Sequence, residues 1–215
     1  VFELSDDNVV GSGINDLVDV KGNLTLTGIN TNAIVPWDGP LASSYTLMTY
    51  GGTLSGGAAN LVGAALGVRP GYVFTFDTLS VPGSILMNVS GGPATASLTW
   101  AAGSGTWDVA ATAAWAGGEK FYHLDDVTFD DSGAVAGVTN EVTIAEHVAP
   151  GSMTINSSRD YALTGTGEIG GTGGLTKDGS GLLIVVTSNT YSGVTAILDG
   201  RLVVANTYAL QGSTV

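Results

Sequence analysis

Cysteine is absent, which excludes disulfides, thiolate metal sites and thiol nucleophiles. Positive charge is scarce: 6 Lys and Arg stand against 19 Asp and Glu, giving a formal charge of -13. Such a chain repels phosphate backbones and anionic membrane surfaces, so nucleic acid is excluded as a partner. Long apolar runs are also missing. Gly181-Leu182-Leu183-Ile184-Val185-Val186 falls far short of the roughly 18 residues a spanning helix needs, and no transmembrane helix is expected. Helical patterning is weak almost everywhere. The one tempting stretch, Ala58 to Leu66, is broken by Gly63 and bounded by Gly57 and Gly67, which leaves room for one short helical turn at most. The opening Val1-Phe2-Glu3-Leu4 has no initiator Met and no basic segment followed by an apolar one, so the chain reads as an excerpt or processed product of something longer.

What is present is glycine, 33 residues of 215, cutting a 44% hydrophobic sequence into short pieces. Many of those pieces alternate with period two and are rich in Thr and Val: Asn23 to Thr27, Tyr45 to Tyr50, Tyr72 to Phe76, Ile85 to Val89, Val127 to Phe129, Val142 to Ile144, Met153 to Ile155 and Arg201 to Val204. This is the strand signal, and the class is all-β. Ile144, Leu163, Leu182 and Leu202 recur at a nearly even interval of roughly 20 residues, and the same interval separates Ile155 from Leu175. An interval of that size with two or more strands per period is what stacked coils of a right-handed parallel β-helix, a β-solenoid, require. Glycine at the corners supplies bends that a Cβ would obstruct.

Three segments result: an N-terminal β region over 1–98, read as wider coils or a small β-sandwich, a Trp/Asp-rich connecting β region over 99–139, and regular repeat coils over 140–215. The stacking places Ile144, Ile155, Leu163, Leu175, Leu182, Ile184, Ile197 and Leu202 inward, so Leu182→Asp is expected to cost several kcal/mol. Thr176, Thr187, Asn189 and Thr190 are candidates for polar ladders, with solvent-facing strand positions as the plainer reading.

Three constellations could carry chemistry. Trp100, Trp107 and Trp115 could form an aromatic platform for sugar rings, against the plainer expectation that a Trp series plugs a core. Asp126, Asp130 and Asp131 could offer oxygens to calcium, although they lack the spacing of an EF-hand loop and equally suit turns whose carboxylates accept backbone N–H bonds. His123 and His147 each have a nearby acid, Asp125 and Glu146, but no G-x-S-x-G elbow accompanies them, and both are expected at a surface or interface. The six cations are scattered, which argues against a lyase or hydrolase site and favours no enzyme activity and no cofactor. The sequons at Asn23, Asn88 and Asn156 sit in strand contexts and read as coincidental.

Leu175-Thr176-Lys177-Asp178-Gly179-Ser180-Gly181-Leu182-Leu183-Ile184-Val185, then Asn189-Thr190-Tyr191-Ser192-Gly193-Val194-Thr195-Ala196-Ile197, Gly200-Arg201-Leu202-Val203-Val204 and Ala209-Leu210, resembles the autotransporter-associated β-strand repeat. Leu98-Thr99-Trp100, Gly105-Thr106-Trp107-Asp108, Trp115 and Asp126 to Gly133 look like the segment preceding that repeat in very large bacterial surface proteins, and Asp16 to Leu26 fits the same proteins. The pattern departs at Ile184-Val185-Val186, where Thr-Leu-Thr is commoner, and at Val194, where glycine is frequent. The resemblance implies a β-helical stalk or passenger region, outside the cell or on its outer surface, serving as scaffold, adhesin or filament and carrying no catalytic residues of its own. Low charge with much Gly, Thr, Ser and Asn agrees with bacterial surface and secreted proteins. The partners expected are adjacent repeats or copies of the chain stacked head to tail, because neither end reads as a polar cap, and glycans if the Trp region is exposed.

Overall fold

The computed structural model describes residues 1–11 and 15–215 and divides them into two compact units, Val1–Ala94 and Thr95–Val215. Among the described residues the helical elements are two 3-10 turns, Ala58–Asn60 and Ala116–Gly118, and everything else regular is strand. No helix among them is long and apolar enough to cross a membrane.

In the first unit, β1 (Phe2–Leu4), β2 (Val18–Val20) and β3 (Leu24–Thr25) are followed by β4 (Asn30–Pro36), β5 (Ser44–Tyr50) and β6 (Leu54–Ser55), and each of the second three pairs in parallel with its counterpart. Partners recur at a nearly constant interval along the chain: Asp19 faces Thr49, Leu24 faces Leu54, and Phe2 faces Ile34. Side chains follow the same interval. The Asn23 carboxamide oxygen accepts the Thr53 amide, Asn30 donates to the Asn60 carbonyl and Asn32 to the Val62 carbonyl.

A third parallel strand, β7 (Leu61–Ala65), extends the β1-β4 sheet. After it the pattern breaks, because β8 (Tyr72–Asp77) and β9 (Ser84–Gly91) form a hairpin whose β9 lies antiparallel on β5. The core holds Phe2, Leu4, Ile34, Tyr45, Leu47 and Met87, with Leu26, Leu61 and Ile85 in a smaller cluster. The interval between these parallel partners is faint in the sequence. Gly22-Asn23-Leu24-Thr25 against Gly52-Thr53-Leu54-Ser55 is its clearest trace.

The second unit is more regular. Its strands are β10 (Ser97–Thr99), β11 (Gly105–Trp107), β12 (Asp126–Asp130), β13 (Asn140–Ile144), β14 (Ser152–Asn156), β15 (Tyr161–Gly165), β16 (Leu175–Asp178), β17 (Leu182–Val185), β18 (Thr195–Ile197) and β19 (Arg201–Val204). They alternate between two sheets ordered β10-β12-β14-β16-β18 and β11-β13-β15-β17-β19, and every ladder in both is parallel. Equivalent side chains therefore lie one above another. Leu98, Val127, Met153, Leu175 and Thr195 form one buried file, and Val142, Leu163 and Val185 another, their apolar members sharing one continuous core. The Trp-rich segment belongs to this unit and shares its core with the repeats.

Ile144, Ile155, Leu163 and Leu175 are inward, but they do not stack on one another as the spacing required: Ile144 lies on Gly165, Leu163 between Val142 and Val185, Ile155 between Phe129 and Lys177, and Leu175 between Met153 and Thr195. Four others are not inward. Leu182 and Ile184 are half-buried on the outer side while Leu183 and Val185 take the core, Ile197 is 46% exposed, and Leu202 packs only partly against the core. The interval between partners is not constant: it shortens at each step from Val127 through Met153 and Leu175 to Thr195. In the other sheet it lengthens slightly from Val142 through Leu163 to Val185, then contracts between Leu183 and Leu202. A strand has a side-chain period of two, so a drift of one position exchanges the inner and outer faces. Gly165 sits at φ +107 opposite Ile144, where a Cβ would lie 2.2 Å from the Ile144 carbonyl oxygen.

Candidate functional site

Trp100, Trp107 and Trp115 are all buried, at 0%, 0% and 2% exposure. Trp115 meets Trp100 and Trp107 edge to face at centroid distances of 5.1 and 5.6 Å, and Phe121 meets Trp107 at 5.3 Å. Phe129 joins the cluster from β12, and the Trp100 indole donates to the Gly103 carbonyl at 2.8 Å. Rings in this arrangement fill the core beside β10 and β11 through favoured quadrupole geometry. No ring face is left for a sugar, so the platform reading is withdrawn. The Trp107 N–H is buried without a partner.

Asp126, Asp130 and Asp131 do not converge, and among the described residues no three His, Asp or Glu side chains form a metal-holding group. Each carboxylate is taken up locally. Asp126 accepts the Ser152 hydroxyl one strand along, Asp130 accepts the amide and hydroxyl of Ser132, and Asp131 accepts both hydroxyls of Ser157 and Ser158. Those serine contacts hold the Asp131 carboxyl down at about 2. The calcium reading therefore gives way to the Asx-turn reading, extended across neighbouring strands.

Several buried polar groups do the same work from inside. Asp125, fully buried, accepts the amides of Ala96 and Tyr122. Asn189, placed outward by the plainer sequence reading, is 1% exposed; it accepts the Ile169 amide and donates to the Ala209 carbonyl, 20 residues away on either side. Thr187 is likewise buried. Lys177, in an inward position of β16, is fully buried and its ammonium donates to the carbonyls of Asp178, Gly179 and Asp199. Burial lowers its pKa against the raising effect of Asp199, Asp178 and Asp160. Its register partners, Ile155 and Ile197, are apolar, and the Asp178-Gly179 turn that follows it brings carbonyls that receive the ammonium.

The two histidines are neighbours, with ring centroids 5.7 Å apart. His147 pairs through Nδ1 with Glu168 at 3.0 Å rather than with Glu146, which accepts the Val109 amide. His147 borders a groove of about 460 Å³ with Thr166, Ser188 and Asn206, and Gly170 makes room for the imidazole, since a Cβ there would lie 2.3 Å from its Cε1. His123 is 5% exposed, not at the surface, and its Nδ1 accepts the Ala149 amide. Burial first, and the charge of His147 second, push it down to about 4 from 6.5.

A depressed histidine pKa means that the unfolded chain binds more protons between those values, so stability is full above about 6.5 and falls as pH drops towards 4. The loss expected is roughly 3 kcal/mol. Urea midpoints measured from pH 7.5 to 4 should show this slope, and His123→Gln should flatten it. An equal slope in that variant would place the acid sensitivity elsewhere.

None of the family models, curated proteins or solved structures compared with the chain matches it.

Proposed function

We propose that residues 95–215 are a length of right-handed parallel β-helix, and that the chain is a non-enzymatic structural module of an extracellular bacterial stalk, fibre or filament. The observation that carries this reading is the strict alternation of ten strands between two all-parallel sheets. Each coil then contributes one strand to each sheet and a third run, through Val148, Ile169 and Asn189, which hydrogen-bond from one coil to the next. Connections between parallel strands of one sheet are right-handed in the great majority of cases, which supports the right-handed course. The parallel strands of the first unit are wider coils on this reading, ended by the β8-β9 hairpin.

A stack of this kind is stabilised chiefly between nearest neighbours, so its rigidity is a local property that survives any number of repeats. The buried and turn-forming polar residues serve that end: Asp125, Asp126, Asp131, Asn140 and Asn189 all hydrogen-bond from one coil to another. The 175–210 resemblance and the low-charge, Gly/Thr/Ser/Asn-rich composition support placement outside the cell. Antibodies raised against the purified chain and applied to intact producing cells should label their exterior under immunogold microscopy. Label confined to the interior of sectioned cells would overturn the placement.

A further inference from the structure

We propose that the outer face of the β10-β12-β14-β16-β18 sheet docks a cationic, hydroxyl-rich linear polymer, namely an amino-sugar chain with free amines. The strands alternate, so with Leu98, Val127, Met153 and Leu175 buried, the residues between them face outward. Thr99, Thr128, Thr154 and Thr176 are mutual register partners on four successive strands. Strands lie about 4.8 Å apart, so this file offers a hydroxyl at an interval comparable to one ring of an extended sugar chain.

Carboxylates flank the file. Asp126 lies at one side beside Ser97 and Ser152, and Asp130 and Asp178 lie at the other with Asn156 between them. The outward positions of this sheet carry these three acids and no lysine or arginine, because Lys177 is turned into the core. Each acid is held through Oδ1, by Ser152, Ser132 and Gly179 respectively, so its place is fixed before anything binds.

Charge complementarity selects the occupant. A second copy would set one acidic face against another, and so would an acidic glycan or nucleic acid. An extended peptide is recognised through a free strand edge, whereas the backbone of β12, β14 and β16 is paired on both sides. An aminoglycan supplies ammonium groups to the carboxylates and hydroxyls to the threonines along one line.

The test is calorimetric titration of the chain with a fully deacetylated glucosamine hexamer, at low salt and mildly acidic pH where the amines are protonated and surface carboxylates remain ionised. The hexamer should bind and its acetylated counterpart should not. Asp126→Asn, Asp130→Asn and Asp178→Asn together should weaken binding roughly tenfold. Glu3→Gln, Asp6→Asn and Glu141→Gln remove the same charge elsewhere and should leave it unchanged. Thr128→Val with Thr154→Val should weaken it, while Thr128→Ser with Thr154→Ser should retain it, each variant being checked for an unchanged thermal midpoint. Equal losses from the two charge-matched triples, equal binding of the acetylated hexamer, or indifference to the valine pair would each overturn the proposal.

Discussion

Leu183→Asp should collapse the C-terminal strand pairs, while Leu182→Asp, its immediate neighbour, should be tolerated. Leu183 is 0% exposed and stands in register between Tyr161 and Leu202. A carboxylate there would be desolvated between two apolar side chains with no cation in the file, at a cost of about 4 kcal/mol or more. Leu182 is half-buried on the opposite face, and its register partner is the exposed Arg201. Aspartate there should cost about 1 kcal/mol or less, mostly as lost strand preference. Urea unfolding followed by circular dichroism distinguishes the two, and equal losses, or a larger loss at Leu182, would refute the register.

The second large effect is expected at Trp107. Truncation to alanine removes a fully buried indole from contact with Trp115, Phe121 and Phe129, and should cost about 3–5 kcal/mol. Trp107→Phe keeps a ring in the cluster and removes an N–H that is buried without a partner, so it should cost less than about 1.5 kcal/mol. Thermal unfolding read in the near ultraviolet, where this cluster dominates, would measure both. A tolerated alanine would mean that the rings do not pack as a unit.

The all-β class, the strands β5, β8 and β9 and a repeating interval in the C-terminal segment were legible in the sequence, because alternation and glycine spacing are local, whereas β7 (Leu61–Ala65) lies in the stretch whose pattern looked most helical. Residues 1–98 were harder to read, since their longer interval rests on a few scattered matches and is interrupted by an antiparallel hairpin. The candidate sites fared least well. A tryptophan series reads alike whether it fills a core or lines a platform, and Asp126, Asp130 and Asp131 read alike as cation ligands or as serine acceptors.

By itself, then, the sequence determined composition-level facts: no thiol chemistry, a strongly acidic chain, strands rather than helices, and a short repeating interval in the C-terminal segment. Tertiary structure decided which member of each alternating pair is inside, because that depends on how the interval between paired strands changes along each sheet rather than on the mean period. It also decided the fate of Lys177 and Asn189. Their burial is tolerable only where carbonyls and amides from segments 20 to 22 residues away arrive at the same point, and that meeting is a property of the parallel pairing, which no local window of sequence contains.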